Sequence, residues 1–347
     1  MSHVRVLVVD DSVTMRALFS GVLEKADGID VVGHAGDADE AREQIIALKP
    51  DVMTLDVEMP GMSGLEFLEE VMRDRPMPVV MLSTLTQKGA SASLRALELG
   101  AVECFPKPTQ ATLEEFALLA PKLTALVRAA AAGRVPSGER RRTVKAAEEQ
   151  FDWNGRIVAI SAATGGVDAL LQIMPEFPAN CPPTLIVMPL DPDFIDPFVA
   201  RLNDATKASV QLAQDGLALL QGHIYVAADP RFHIVVDRWP DASMRLIASD
   251  PVAGSRPSAS LLFATLAKTA RADAVGVLLT GMGTDGVAGL KALRAAGGGA
   301  IVQDPATAMM REAPAAAVAA GAAGQIVALD TVGAVLLGEC RRAQAAA

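Results

Sequence analysis

The stretch DVMTLDVEMPGMSG, Asp51 to Gly64, decides how the first part of the chain folds. A short apolar run ends on Asp56, and a turn built from Pro60, Gly61 and Gly64 follows. That places a carboxylate at the carboxyl end of a strand, where open α/β sheets put their chemistry. One aspartate there says little. Its companions say more. The earlier run VRVLVV ends on Asp10 and Asp11, and a later one ends on Lys107 between two prolines. Singly, each is more often an ordinary surface acid or base. Three acids and a lysine at strand ends together point to a phosphate and metal site.

Working outward, strand-like runs at Val4–Val9, Asp30–His34, Val52–Leu55, Val79–Leu82 and Ala101–Phe105 alternate with helical patterns. The helices are expected at Val13–Lys25, Ala38–Leu48, Gly64–Arg73, Ala90–Leu99 and Ala111–Ala131. Runs rich in Val and Leu without alternation suit strands buried on both faces. Five such βα units predict a doubly wound parallel sheet.

After this the composition shifts. The segment Ala129–Gln150 carries a proline, two glycines and the basic cluster Arg140–Arg142, with no core-forming periodicity after Ala132. It reads as an exposed linker, its basic cluster a solvated face. The expected division is residues 1–128, a linker at 129–152 and a second domain at 153–345. That domain is again α/β: RIVAI leads to SAATGG and a helix, TLIVM to PLDPD and a helix. The middle, Ser209 to Ile247, reads as short strands spaced like hairpins or a meander. A helix over Ala259–Arg271, the strand AVGVLLT, the turn GMGTDG, a helix to Ala296 and the strand AIVQD follow.

Composition excludes several classes. A net charge of -10 argues against a nucleic-acid binder, which needs a basic face. Aromatics at 4% weaken any base-stacking role. The three cysteines, Cys104, Cys181 and Cys340, form no CxxC pair, so neither zinc nor a disulfide framework is expected. Apolar runs stop well short of the ~18 residues of a membrane span. A cytoplasmic protein with reduced thiols, not inserted in a membrane, is the expectation.

Asp10, Asp11 and Asp56 converge if the first and third strands are neighbours, and three carboxylates suit Mg²⁺. Lys107 can hold a phosphoryl oxygen, and Ser83 and Thr84 offer hydroxyls after the fourth strand. An aspartate is a nucleophile toward phosphorus when a metal and a lysine neutralise the transferring oxygens. Over about residues 1–125 this pattern resembles the receiver domain of two-component response regulators. The match includes Asp10, Asp11, LDVEMPGMSG around Asp56, Thr84 and a cis-type Lys107–Pro108. The resemblance implies phosphorylation of Asp56 by a sensor histidine kinase and a switch made of Thr84, Lys107 and an aromatic position read here as Phe105.

In the second domain the glycine-rich turns ATGG and TGMGTDG open helices, so their N–H groups can hold an anion. No GxxxxGK phosphate loop is present. The blocks ISAATGG, FIDPFVARLN, GHIYVAADPRFHIVV, SRPSASLLF, GVLLTGMGTDGVAGLKALRAAGG and AIVQDPATA resemble the chemotaxis protein-glutamate methylesterases over about residues 156–330. The resemblance implies a doubly wound α/β methylesterase-type domain with a small antiparallel region. It also implies removal of methyl ester from glutamates of methyl-accepting chemoreceptors, deamidation of their glutamines, and a Ser-His-Asp triad. The family's acid falls on Asp285 and its oxyanion donors on Met282 and Gly283. Its nucleophile falls on Ala163 and its histidine on Pro189.

Substitutes exist nearby. Ser161 lies two residues, ~6–7 Å, back along the strand. Thr164 is closer to the turn, and His233 is a candidate base. Two readings stay open. One is a phosphorylation-controlled methylesterase and glutaminase with an unorthodox nucleophile. The other is an inactive, phosphorylation-gated binding protein or phosphate sink. A DNA-binding regulator is disfavoured by charge.

Overall fold

The structure, a computed structural model, describes residues 3–83, 87–108, 113–133 and 150–342. The chain divides into two units, Met1–Arg141 and Arg142–Ala347.

The first unit alternates β1 (Val4–Val9), α1 (Val13–Leu23), β2 (Ile29–Ala35), α2 (Ala38–Leu48), β3 (Val52–Asp56), α3 (Gly64–Asp74), β4 (Val79–Ser83), α4 (Gln87–Leu99), β5 (Glu103–Pro106) and α5 (Leu113–Ala132). The strands form one parallel sheet in the order β2-β1-β3-β4-β5. β3 and β4 are buried at every residue, which is why their sequences are apolar without alternation. Phe19 of α1 and Phe67 of α3 are fully buried. α1, α2 and α3 start at the side-chain caps Ser12, Asp37 and Ser63. Ser63 and Glu66 form a reciprocal capping box at α3, so the turn after Asp56 ends in a fixed place. Gly64 is required there: a Cβ would stand 1.8 Å from the Asp56 carbonyl oxygen.

The second unit contains β6 (Ile157–Ser161), α6 (Gly166–Ile173), β7 (Thr184–Val187), α7 (Pro192–Ala205), β8 (Ser209–Leu212), β9 (His223–Ala227), β10 (His233–Val236) and β11 (Met244–Ile247). It continues with α8 (Ala259–Thr269), β12 (Ala274–Leu278), α9 (Val287–Ala295), β13 (Gly299–Gln303), α10 (Glu312–Ala319), β14 (Gln325–Val327) and α11 (Leu329–Glu339). Seven strands form a sheet in the order β14-β13-β12-β6-β7-β9-β8. Its core includes Leu185, Tyr225, Phe263, Leu278 and Leu290.

The expected meander is corrected by the pairing. Only β10 and β11 are antiparallel partners. β9 pairs parallel with β7, and β8 parallel with β9, so both extend the main sheet. The ten residues between β8 and β9 carry the chain back to the starting edge, a path that spacing alone resembles a long hairpin loop.

Helix α5 runs past the boundary expected at 128. Residues 134–149 of the expected linker lie outside the described residues. From Phe151 the chain is bonded into the second unit: the Phe151 N–H donates to Asn180 Oδ1 at 3.0 Å, and Asn180 Nδ2 donates to the Phe151 carbonyl at 2.9 Å. Among the described residues no helix is long and apolar enough to cross a membrane.

Candidate functional site

At the carboxyl edge of the first sheet, Asp10 follows β1 and Asp56 ends β3, and those strands are neighbours. Both carboxylates are buried, at 0% and 4% exposure. Lys107 follows β5, and its N–H donates to the Ser83 carbonyl at 2.8 Å, which fixes it beside β4. From there its Nζ reaches Asp10 Oδ2 and Asp56 Oδ2, each at 2.7 Å. The remaining oxygens are held by backbone: Ser12 N–H donates to Asp10 Oδ1 at 3.0 Å and Glu58 N–H to Asp56 Oδ1 at 3.2 Å. Arg16 clamps the loop by donating to the carbonyls of Asp10 and Asp11.

Burial pushes the Asp56 carboxyl up from 3.8 to about 6, against the hydrogen bond and charge of Lys107, with Asp10 adding repulsion. Burial pulls the Lys107 ammonium down, but its bonds to Asp10 and Asp56 outweigh this and raise it. A carboxyl raised on folding contributes stability that is fully present below its unfolded value and is lost as pH rises through about 6. In metal-free protein a carbon-13 titration of the Asp56 carboxyl should show a midpoint near 6. A midpoint near the ordinary aspartate value would show that burial does not govern this group.

Asp10, Asp11 and Asp56 each offer an oxygen within 4.8 Å of the others. An all-carboxylate set with one exposed member fits a hard ion such as Mg²⁺, which keeps several waters. Thr84 lies outside the described residues. Phe105 is 1% exposed and packs in the sheet core, while Cys104 on the other face of β5 donates its thiol to the Ser93 carbonyl at 3.4 Å. The expected cis bond at Lys107–Pro108 is not found: among the described residues the cis bonds are Trp239–Pro240 and Arg256–Pro257.

In the second sheet β6 lies between β12 and β7. The chain leaves β6 toward β7 and later returns on the other side as β12, so the carboxyl end of β6 is a topological switch point, the usual place for a cleft. The ATGG turn follows β6 there. Ala163 N–H donates to the Thr280 carbonyl at 3.1 Å, and Thr280 Oγ1 donates to the Thr164 carbonyl at 3.0 Å. Gly165, at φ +77°, has no room for a side chain, because a Cβ would meet Met309 at 2.9 Å. A Cβ at Gly281 would lie 3.0 Å from that of Ala163, so the ATGG and TGMGTDG turns touch. Gln303, at the end of β13, accepts the Thr280 N–H at 2.8 Å and holds the second turn. Among the described residues, the N–H groups of Met282 and Gly283 have no hydrogen-bond partner.

Position 163 offers a methyl and the exposed Pro189, after β7, a pyrrolidine ring. Ser161 is the last residue of β6, partly exposed and in register with Leu278 and Val187. Asp285 accepts from Ser258 Oγ at 2.7 Å, Ala259 N–H at 2.7 Å and Ser260 N–H at 3.0 Å, so it anchors the first turn of α8. His233 is fully buried. Its Nδ1 accepts the Ser258 N–H at 3.1 Å, and its Nε2 lies 3.0 Å from the Asp250 carbonyl. A carbonyl only accepts, so Nε2 is the donor there, and both ring nitrogens are used. The structure thus joins His233 and Asp285 through Ser258, a residue absent from the sequence-based candidates. Its hydroxyl faces the carboxylate, not the imidazole. Its position just before an apolar helical run was the signal for a cap, and it also accepts the Leu261 N–H.

Asp285→Ala is expected to cost about 1–3 kcal/mol of stability, since it orphans buried donors at a helix start. Urea denaturation measures this. An unchanged midpoint would show that α8 is capped well enough without it.

A receiver-type acid and lysine site on a (βα)5 sheet, followed by an α/β domain whose two glycine-rich turns meet at a topological switch point, defines a response regulator with a second α/β domain. Residues 6–116 match the response regulator receiver domain model, and residues 158–336 match the CheB methylesterase model. The chain is 47% identical over 337 residues to protein-glutamate methylesterase/protein-glutamine glutaminase 1 of Caulobacter vibrioides, covering 97% of this chain and 98% of that one. It is 45% identical over 338 residues to the protein of that name without the numeral from Agrobacterium fabrum, covering 96% and 95%. The CheB methylesterase catalytic domain of Thermotoga maritima matches 53% of this chain and 98% of its own, at 27% identity and a TM-score of 0.51. The chain belongs to the CheB family of chemotaxis methylesterases with a receiver domain.

Proposed function

We propose that this chain is a phosphorylation-controlled chemotaxis regulator. Asp56 accepts a phosphoryl group from a sensor histidine kinase, and the second domain engages the methylated glutamates and glutamines of methyl-accepting chemoreceptors. The observation that carries the proposal is the dry carboxylate pair of Asp10 and Asp56 bridged by Lys107. An Asp56 oxygen forms the new P–O bond as the donor's P–N bond breaks, and the leaving imidazole takes up a proton. Lys107 turns from its carboxylates toward the transferring oxygens. Asp10, Asp11 and Asp56 would hold Mg²⁺, which supplies charge neutralisation of the phosphoryl group when bound. Phosphate labelling of the native chain and of Asp56→Asn tests this.

A second reading concerns what the second domain does with its target. Ala163 and Pro189 provide no nucleophile and no base, and His233 has both nitrogens engaged. These observations motivate the alternative reading, binding of a receptor segment without acyl transfer, beside the methylesterase and glutaminase activity that the family points to. Methanol release from methylated receptor membranes, with and without a phosphodonor, separates binding from turnover.

A further inference from the structure

We infer that Ser93, in α4, is a positioning residue of the phosphoryl-acceptor site, holding the Ser83 hydroxyl in the resting receiver and yielding it when Asp56 is phosphorylated. The inference rests on the reading of Asp56 as acceptor. Asp56 pairs with Leu82 in the sheet, so Ser83 is the next residue on β4 at the same carboxyl edge. Its carbonyl already receives the Lys107 N–H. Ser93 Oγ donates to Ser83 Oγ at 2.9 Å. Ser93 is 0% exposed and Ser83 2%, so water does not compete for this bond. On its other side, the Ser93 carbonyl receives the Cys104 thiol. Two hydrogen bonds at one residue therefore link β4, α4 and β5.

A serine is a poor choice for a fully buried helix position unless its hydroxyl has a purpose. Here the chemistry supplies one. A phosphoryl group on Asp56 brings three strong acceptors to an edge where Lys107 is the buried cation. The Ser83 hydroxyl is a neutral donor on the adjacent strand. If it turns to the phosphoryl oxygens, the Ser93 hydroxyl loses its acceptor in a dry place. An orphaned buried donor costs more than the net worth of the bond it lost. The bond therefore favours the resting state, and α4 is the element whose movement relieves the cost.

The test uses the full chain, with beryllofluoride and Mg²⁺ as a stable phosphoryl mimic and fluorine-19 NMR to read binding. Ser93→Ala is expected to bind about 2- to 10-fold more tightly than the native chain. Ser93→Thr, which keeps the hydroxyl, should stay near native. Ser93→Cys keeps the volume with a weak donor and should fall between Thr and Ala, which preserves the test if the alanine variant folds poorly. Urea midpoints measured without the ion report folding separately. A lowered midpoint with unchanged affinity would mean that the bond is structural and overturns the inference. Weaker binding overturns it too, because Ser93 would then aim Ser83 at the phosphoryl group. Absence of binding to the native chain would sink the acceptor reading itself, and this inference with it.

Discussion

Asp56→Asn should lower phosphate incorporation from a histidine kinase or a small acyl phosphate by roughly two orders of magnitude or more. The amide has the same shape, but its oxygen is neutral and far too weak a nucleophile to attack phosphorus. The surroundings should survive the change, because Asn retains an oxygen for the Glu58 N–H and Lys107 keeps Asp10. Loss of labelling therefore reports chemistry and not collapse. Two further substitutions sharpen the assignment. Asp11→Asn leaves the acceptor intact and removes the exposed member of the acid cluster, so its defect should shrink as Mg²⁺ is raised. Lys107→Ala leaves acceptor and acids intact, so its defect should persist at any Mg²⁺ concentration. Full labelling of Asp56→Asn would move the acceptor elsewhere, Asp10 or Asp11 being next in line.

The receiver was legible because its chemistry sits where its folding signals are strongest. A parallel strand buried on both faces writes an unbroken apolar run, and the residue that ends the run stands at the sheet edge. Asp10, Asp56 and Lys107 could therefore be placed without knowing the sheet order. Gly64 was legible as a turn residue, though its reason, the Asp56 carbonyl against it, is a three-dimensional fact. What escaped was partner choice. An apolar run identifies β8 and β9 as strands but does not say that they pair parallel with each other and extend the sheet from β7. The second site escaped for a related reason. That His233 spends both ring nitrogens on backbone, or that Asp285 collects three donors from α8, depends on residues 17 to 27 positions away. Local pattern carries no trace of such bonds. Ala163 and Pro189 could be singled out in the sequence only through the resemblance, Ala163 beside the Gly165–Gly166 pair and Pro189 in the glycine-free run PLDPD.

Methanol release by the native chain should fall about six orders of magnitude below that of a relative with an intact triad, because nucleophile and base fail together. Acyl transfer needs a hydroxyl or thiol to form the covalent intermediate, and Ala163 supplies a methyl. It needs a base for that proton and an acid for the leaving methanol, and Pro189 supplies neither. His233 cannot stand in without surrendering the Ser258 N–H or the Asp250 carbonyl, both in the interior. The frame is this: among the described residues the N–H groups of Met282 and Gly283 are unpaired, and Asp285 is close to them in sequence. That frame makes the deficit repairable in a specific way. Ala163→Ser alone should remain inactive for want of a base, and Pro189→His alone for want of a nucleophile, since triad members act as a unit. The double substitution should raise release well above either. A carboxylate has about four lone-pair sites, so Asp285 with three donors retains one for an imidazole N–H. If the native chain instead releases methanol as fast as an intact relative, a nucleophile lies elsewhere. Thr164→Ala and Ser161→Ala would then identify it, because whichever change abolishes release removes the hydroxyl in use.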